Sequence, residues 1–239
     1  MTRLAALLAN ARYLLLDFDG PVCAVYTGLP AHIVARRLRE QLGANGITLP
    51  DDGQPSDDPL DIFRQTSQLG PQVTAAIHQL LTSLEVQAIA TARPTPGAAE
   101  LIREARETGR GVAIVSNNSE AAICAYLDLH QLAEHLALVL GRHSDDPDLM
   151  KPSPYLVRAA VGILDTEGRY CVFVGDSPSD VLAGKLAGVP FIGYAPNPAK
   201  TRNLAAAGAR TLTASMNEIR TAIRGLPPAR VAELRRTVT

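Results

Sequence analysis

The chain has 239 residues, enough for one large domain or two modest ones, and 46% of them are apolar, enough to fill a core. Its formal net charge is −1 with no basic block, which argues against a nucleic-acid binder, and no apolar run approaches the roughly 20 residues that a membrane helix needs. Cys23, Cys124 and Cys171 are scattered and form no CxxC pair, so neither a disulfide framework nor a zinc knuckle is expected, and the protein reads as soluble and cytoplasmic.

Met1 to Leu8 reads as the first turns of a helix, with no secretion signal. Leu14 to Leu16 is a short apolar strand that runs into Asp17, Phe18, Asp19 and Gly20. Pro21 to Arg93 contains no convincing strand. There Val34, Ala35, Leu38 and Leu42 share one helix face between Pro30 and Gly43. Leu49 to Pro59 is a loop rich in Asp, Gly and Pro. Asp58 and Pro59 can cap a helix through Phe63 to Gly70, and Pro71 opens a third helix carrying Val73, Ala76, Ile77, Leu80, Leu81 and Leu84. Gly20-Pro21 and Pro94-Thr95-Pro96-Gly97 form the joints of this insert. Beyond it, helix and strand alternate. A helix with Leu101, Ile102 and Ala105 ends at Gly109, and Val112 to Val115 is a strand. Ser119 caps a helix with Ile123, Tyr126 and Leu127, and Ala137 to Leu140 is a strand. Pro154 to Leu164 is a helix, Tyr170 to Val174 a strand, Pro178 to Ala187 a helix closed by Gly188, and Val189 to Tyr194 a strand. The charged tail, Pro227 to Thr239, is expected to be a short helix or frayed. Apolar strands alternating with helices predict an α/β fold with a parallel sheet covered on both faces.

Ligands of such sheets bind at the carboxyl ends of the strands. Asp17 and Asp19 follow the first strand there, Ser116, Asn117 and Asn118 the strand at 112–115, and Gly175, Asp176 and Ser177, with Asp180 a little later, the strand at 170–174. Lys151 precedes the helix at Pro154. Several carboxylates can share a small site when a cation neutralises them, and a few hard oxygen ligands suit Mg²⁺ engaging a phosphate oxygen. A lysine, a hydroxyl and N–H groups then hold the same phosphate. One carboxylate can attack phosphorus, and a second, two positions on, can protonate the leaving oxygen and later activate water. His32, His78, His130, His135 and His143 show no ligand spacing, and Asp145, Asp146 and Asp148 read as a solvated loop.

DFDG at Asp17 to Gly20, VSNNS around Ser116, KPSP at Lys151 and VGDSPSD with Asp176 and Asp180 together resemble, in order, the four motifs of the haloacid dehalogenase superfamily of phosphatases. The resemblance spans residues 13 to about 215, and PTPGAAELI before the second motif is similar to phosphoglycolate-phosphatase-like members. It implies a Rossmann-like core of residues 1–20 and 94–239, with an α-helical cap, residues 21–93, inserted after the first strand. It implies Asp17 as the nucleophile and Asp19 as the general acid and base. Ser116, Asn117 and Lys151 would hold the phosphate. Mg²⁺ would lie between Asp17, the main-chain carbonyl of Asp19, and Asp176, with Asp180 behind these ligands or reaching the ion through water, and also orienting Lys151. The reaction implied is hydrolysis of a small metabolite's phosphomonoester through an aspartyl-phosphate, with no nucleic-acid or membrane partner, by a monomer or homodimer. Phosphoryl transfer to another hydroxyl, and a non-catalytic binding role, are the alternatives. Pro21 departs from the Thr or Val usual after DxDG. Asp19 disfavours the dehalogenase branch, and the absence of lysine from the insert disfavours the phosphonate-cleaving one. Tyr26, Arg36, Phe63, Arg64 and Arg93 are the insert's candidate substrate contacts.

Overall fold

The computed structural model describes residues 2–49 and 56–229. The central residues of the expected loop at 49–59 and most of the charged tail lie outside them. Helix α1 (Arg3–Ala9) leads into β1 (Tyr13–Leu16), and β2 (Cys23–Ala24) opens the insert. Helices α2 (Ala31–Ala44), α3 (Pro59–Gln65) and α4 (Pro71–Ile89) follow, and β3 (Arg93–Pro94) closes it. The rest alternates: α5 (Ala98–Glu107), β4 (Gly111–Ser119), α6 (Glu120–Leu129), β5 (Leu138–Arg142), α7 (Tyr155–Ile163), β6 (Cys171–Gly175), α8 (Pro178–Ala187), β7 (Phe191–Tyr194), α9 (Pro198–Ala206), β8 (Leu212–Thr213) and α10 (Met216–Arg224). Among the described residues no helix is long and apolar enough to cross a membrane.

Six strands form one parallel sheet in the order β5-β4-β1-β6-β7-β8, with β1 between β4 and β6. Every residue of β1 is buried, as a central parallel strand requires. One face packs Leu14, Leu16, Val112, Ile114, Val172 and Val174 against α5, α6 and α10; the other packs Leu15, Ala113, Val115 and Phe173 against α7 and α8. Each such side chain gains about 1.5–3 kcal/mol on leaving water, so the apolar strand code is also the main driving force for the layer order.

Two differences from the sequence reading bear on the site. The insert does contain extended backbone: Cys23 and Ala24 pair antiparallel with Pro94 and Arg93, tying its two joints together. Helix α4 also spans two cores. Ile77, Leu81 and Leu84 pack with α2 and α3, whereas Ala88 and Ile89 join the cluster under the sheet. The insert's second and third helices start at the expected signals. Asp58 Oδ1 accepts the Leu60 N–H at the start of α3, and Pro71 opens α4.

Candidate active site

The chain turns sharply after β1. Phe18, between the two aspartates, points into the core and packs edge-to-face on Tyr126 with ring centroids 5.3 Å apart. Pleat alternation therefore places Asp17 and Asp19 away from that core. Asp17 N–H donates to the Val174 carbonyl (2.8 Å), continuing the ladder, and Phe18 N–H donates to Asp17 Oδ1 (2.8 Å). Asp19 Oδ1 accepts the Val25 N–H (2.9 Å) across the loop. Gly20 has φ +106°, and a Cβ there would stand 2.3 Å from Asp176 Oδ2, so only glycine lets this loop pass the fourth motif.

Pairing of β4 with β5 breaks between Val115 and Ser119: four residue steps on β4 face two on β5. The extra residues bulge, which carries Ser116, Asn117 and Asn118 out of the ladder and toward the cleft. Ser119 then caps α6 through the Ala122 N–H.

Lys151 is 1% exposed. Its Nζ lies 2.8 Å from Asp17 Oδ1 and 2.6 Å from Asp180 Oδ1, and donates to the Val115 carbonyl (3.2 Å). Asp180 Oδ2 accepts from the main-chain N–H groups of Asp176 and Ser177 and from the Ser177 hydroxyl. This capping box makes Asp180 at once the clamp on the β6–α8 turn and the anchor for Lys151. Asn117 has a second task. Its Oδ1 accepts the Lys151 N–H (2.7 Å) and its Nδ2 donates to the Lys151 carbonyl (3.0 Å), so its side chain holds the lysine's backbone at the edge of the cleft.

Charge crowding shows in the carboxyl groups. Burial, then the Asp180 charge, pushes Asp17 up to about 7 against the opposing pull of Lys151. Burial raises Asp19 to about 6, with the Val25 N–H pulling the other way. Burial also raises Asp176, opposed by Lys200. Lys151 loses hydration, but Asp17 and Asp180 outweigh that loss and hold it above its ordinary value.

One oxygen from each of Asp17, Asp176 and Asp180 fits within a 4.8 Å sphere of mutual distances. Both Asp180 oxygens already have partners. Asp17 and Asp176 each keep one oxygen without a hydrogen bond among the described residues. A site offering so few carboxylate oxygens fits Mg²⁺, which keeps several waters, better than Ca²⁺. A bound cation would oppose both the burial and the mutual repulsion that disfavour charge on these raised carboxyl groups. Their native-state values lie above the unfolded ones, so the native chain holds protons that the unfolded chain has lost between about pH 4 and 7. Stability in chelator should therefore fall as pH rises through that window. The thermal midpoint in chelator should be lower at pH 8 than at pH 5, and Mg²⁺ should raise it more at pH 8. An equal Mg²⁺ effect at both pH values would mean that the cation does not bind these carboxylates.

The catalytic candidates line a cleft of about 1010 Å³ whose other wall comes from the insert: Tyr26, Asp57, Asp58, Leu60, Asp61 and Arg64. Of the proposed insert contacts, Tyr26 and Arg64 reach it. Phe63 is buried in the insert's own core, Arg36 pairs with Glu40 on the surface, and Arg93 lies in the β2–β3 ribbon.

Three functional candidates carry no motif. Lys200, in the first turn of α9, donates from Nζ to Asp176 Oδ2 (2.7 Å) and to the Asp176 carbonyl (3.0 Å). Glu85 of α4 is fully buried, accepts the Ser119 N–H (2.9 Å) and the Asn118 amide (3.3 Å), and pairs with Arg142 Nη2 at 2.6 Å. Arg142, at the end of β5, also donates to the Asn117 carbonyl. This buried pair ties the insert's last helix to the bulge that carries Ser116. Truncating one partner strands the other charge, so Glu85→Ala should cost about 3–5 kcal/mol in denaturant unfolding, and Glu85→Leu with Arg142→Met should cost less than the single change. A loss below about 1 kcal/mol for Glu85→Ala would show that the pair is not holding the bulge.

Residues 12–188 match the model of the haloacid dehalogenase-like hydrolases. A bifunctional riboflavin kinase/FMN phosphatase of Arabidopsis thaliana is 34% identical over 56% of this chain and 34% of its own length. A plasmid-encoded phosphoglycolate phosphatase of Cupriavidus necator is 32% identical over 57% of each chain. The chain thus spans from a third to a little over half of the curated relatives it matches. Crystalline CbbY from Rhodobacter sphaeroides, in complex with phosphate, superposes with a TM-score of 0.65 at 23% identity, over 87% of this chain and 96% of that one, and so shares the fold. With three-quarters of its length inside the family model, the chain belongs to the haloacid dehalogenase-like hydrolases.

Proposed function

We propose that this protein is a phosphomonoesterase for a small phosphorylated metabolite, with Asp17 as nucleophile and Asp19 as general acid and base. The observation that carries the reading is the pair itself: a buried and a half-buried carboxyl two residues apart, the first against the Lys151 ammonium and the second raised by desolvation to about 6. A carboxyl near that value is well suited to give up and retake a proton at neutral pH.

In the first step the Asp17 carboxylate attacks phosphorus. The ester P–O bond breaks, and the departing alkoxide takes the Asp19 proton. In the second step Asp19, now a carboxylate, takes a proton from water, whose oxygen attacks the aspartyl-phosphate and returns Asp17 and inorganic phosphate. Lys151 and the Ser116 hydroxyl hold the phosphoryl oxygens, and Asp180 keeps Lys151 aimed. Asn117 contributes by fixing the Lys151 backbone. Asp17, Asp176 and the Asp19 carbonyl would hold Mg²⁺, which supplies the positive charge that lets a phosphate dianion approach these carboxylates. The helical segment between β1 and α5 acts as the cap that excludes water during the reaction.

The test is release of inorganic phosphate from 4-nitrophenyl phosphate. Turnover should require Mg²⁺, persist in part with Mn²⁺, fall with Ca²⁺ and vanish in chelator. Full activity in excess chelator would refute the metal assignment, and no turnover with any of these cations would refute the phosphatase reading.

A further inference from the structure

We infer that the preferred substrates are phosphate esters whose alcohol portion is neutral or carries an ammonium group, and that Asp57 and Asp58 of the insert select against a second anionic group. The inference rests on the phosphomonoesterase reading and concerns the part of the cleft that the phosphate does not fill.

A cleft of about 1010 Å³ is far larger than a phosphoryl group, which leaves room for the alcohol beside the insert wall. The charges lining the cleft are unbalanced. Among the described residues they comprise the carboxylates of Asp17, Asp19, Asp57, Asp58, Asp61 and Asp176 against the cations Arg64, Lys151 and Lys200. Every one of these cations is already engaged. Lys151 is buried between Asp17 and Asp180, and Lys200 sits on Asp176. Arg64, the one cation on the insert wall among the described residues, spends Nη1 on Asp61 (2.7 Å) and Nη2 on the Lys151 carbonyl (2.9 Å). Its remaining N–H groups can still reach a substrate, but Asp61 beside it offsets its charge, and Asp57 and Asp58 leave this wall net negative. Residues 50–55, next in sequence to this wall, contain no lysine or arginine.

Two acids of the wall, Asp57 and Asp58, are in the opposite position. Asp58 Oδ1 accepts the Leu60 N–H, its one hydrogen bond among the described residues, and both Asp57 and Asp58 are exposed. Asp57 makes no ion pair among the described residues. A phosphate dianion is met by Lys151, by main-chain donors and by the proposed Mg²⁺; a second anion on the alcohol would face an insert wall with Asp57, Asp58 and Asp61 against the single cation Arg64 among the described residues. A hydroxyl can donate to those carboxylates, and an ammonium group gains both hydrogen bond and charge.

A matched two-carbon series isolates the effect: 2-hydroxyethyl phosphate, O-phosphoethanolamine and 2-phosphoglycolate differ chiefly in the terminal group. With Mg²⁺, kcat/KM for the first two should exceed that for 2-phosphoglycolate by about 10- to 100-fold, the range of one partly screened like-charge contact. Asp57→Asn with Asp58→Asn should narrow that gap toward unity, and asparagine keeps the cap on α3. A 2-phosphoglycolate rate equal to or above the other two would overturn the inference while leaving the phosphatase reading intact. An undiminished gap in the double variant would overturn the role of Asp57 and Asp58. If none of the three, nor 4-nitrophenyl phosphate, is hydrolysed, the phosphatase reading fails and the inference falls with it.

Discussion

Replacing Asp17 by asparagine should abolish turnover, by roughly four orders of magnitude or more, while leaving the fold intact. A neutral amide cannot attack phosphorus at a useful rate, and loss of a covalent nucleophile typically removes nearly the whole contribution of the machinery built around it. The fold should tolerate the change for reasons visible in the site. The amide oxygen can still accept the Phe18 N–H, and Lys151 keeps Asp180 as a charged partner. Burial and the neighbouring carboxylates work against the charged form of Asp17, so removing that charge should hold or raise the thermal midpoint in chelator. The measurement pairs steady-state turnover with acid-quench detection of phosphoprotein, and mass spectrometry excludes deamidation back to aspartate. More than a few per cent residual activity in a verified Asp17→Asn preparation, or an undiminished phosphoprotein signal, would refute the assignment.

Much of the fold is legible because burial on both faces makes central parallel strands continuously apolar. Leu14 to Leu16, Val112 to Val115 and the strand ending at Val174 announce themselves this way, whereas their order as β4-β1-β6 comes from the structure. The features that escape the sequence are those set by distant partners. Cys23-Ala24 and Arg93-Pro94 are too short to show a period of two, and they pair across some seventy residues. Leu212-Thr213 is an edge strand of two residues with the same handicap. The break in β4 is the opposite case. Its polar run Ser116 to Ser119 reads as the end of a strand, and the structure shows it as a bulge after which pairing resumes.

The site divides in the same way. Residues that follow a strand closely are read from position alone, which finds Asp17, Asp19, Ser116, Asp176 and Asp180. Arg142 follows β5 just as directly, yet Gly141 and Arg142 continue the strand past the apolar stretch that ends at Leu140. Glu85 leaves a clearer trace. On α4 it falls on the stripe of Leu81, Leu84 and Ala88, and a lone acid on a buried helix face requires a partner. Lys200 had a compositional signal. The chain has only three lysines, Lys151, Lys185 and Lys200, and two of them sit on the site's carboxylates. In an arginine-rich chain a retained lysine suggests a compact point charge held for a purpose, and that holds for Lys200 as much as for Lys151.

Asp19→Asn should separate the two steps of the reaction, because the need for a general acid depends on the leaving group. An alkoxide leaving from a metabolite ester is strongly basic and needs a proton in the transition state, whereas 4-nitrophenolate is a weak base and can depart without one. General acid catalysis is typically worth ~10²–10⁴-fold, and that loss should appear in phosphoenzyme formation from an alkyl ester and shrink for the aryl ester. The substitution is well placed to be clean, since the introduced amide keeps an oxygen for the Val25 N–H and leaves the Asp19–Cys23 bridge to the main chain. Steady-state turnover would blur the comparison, because the same side chain also activates water in the second step. Single-turnover mixing resolves it: the aryl ester should give a burst of 4-nitrophenolate in the variant, followed by a stalled aspartyl-phosphate on Asp17. An equal loss for both esters in the first step, with Mg²⁺ affinity unchanged, would show that Asp19 does not supply the proton and that another group in the cleft protonates the alcohol.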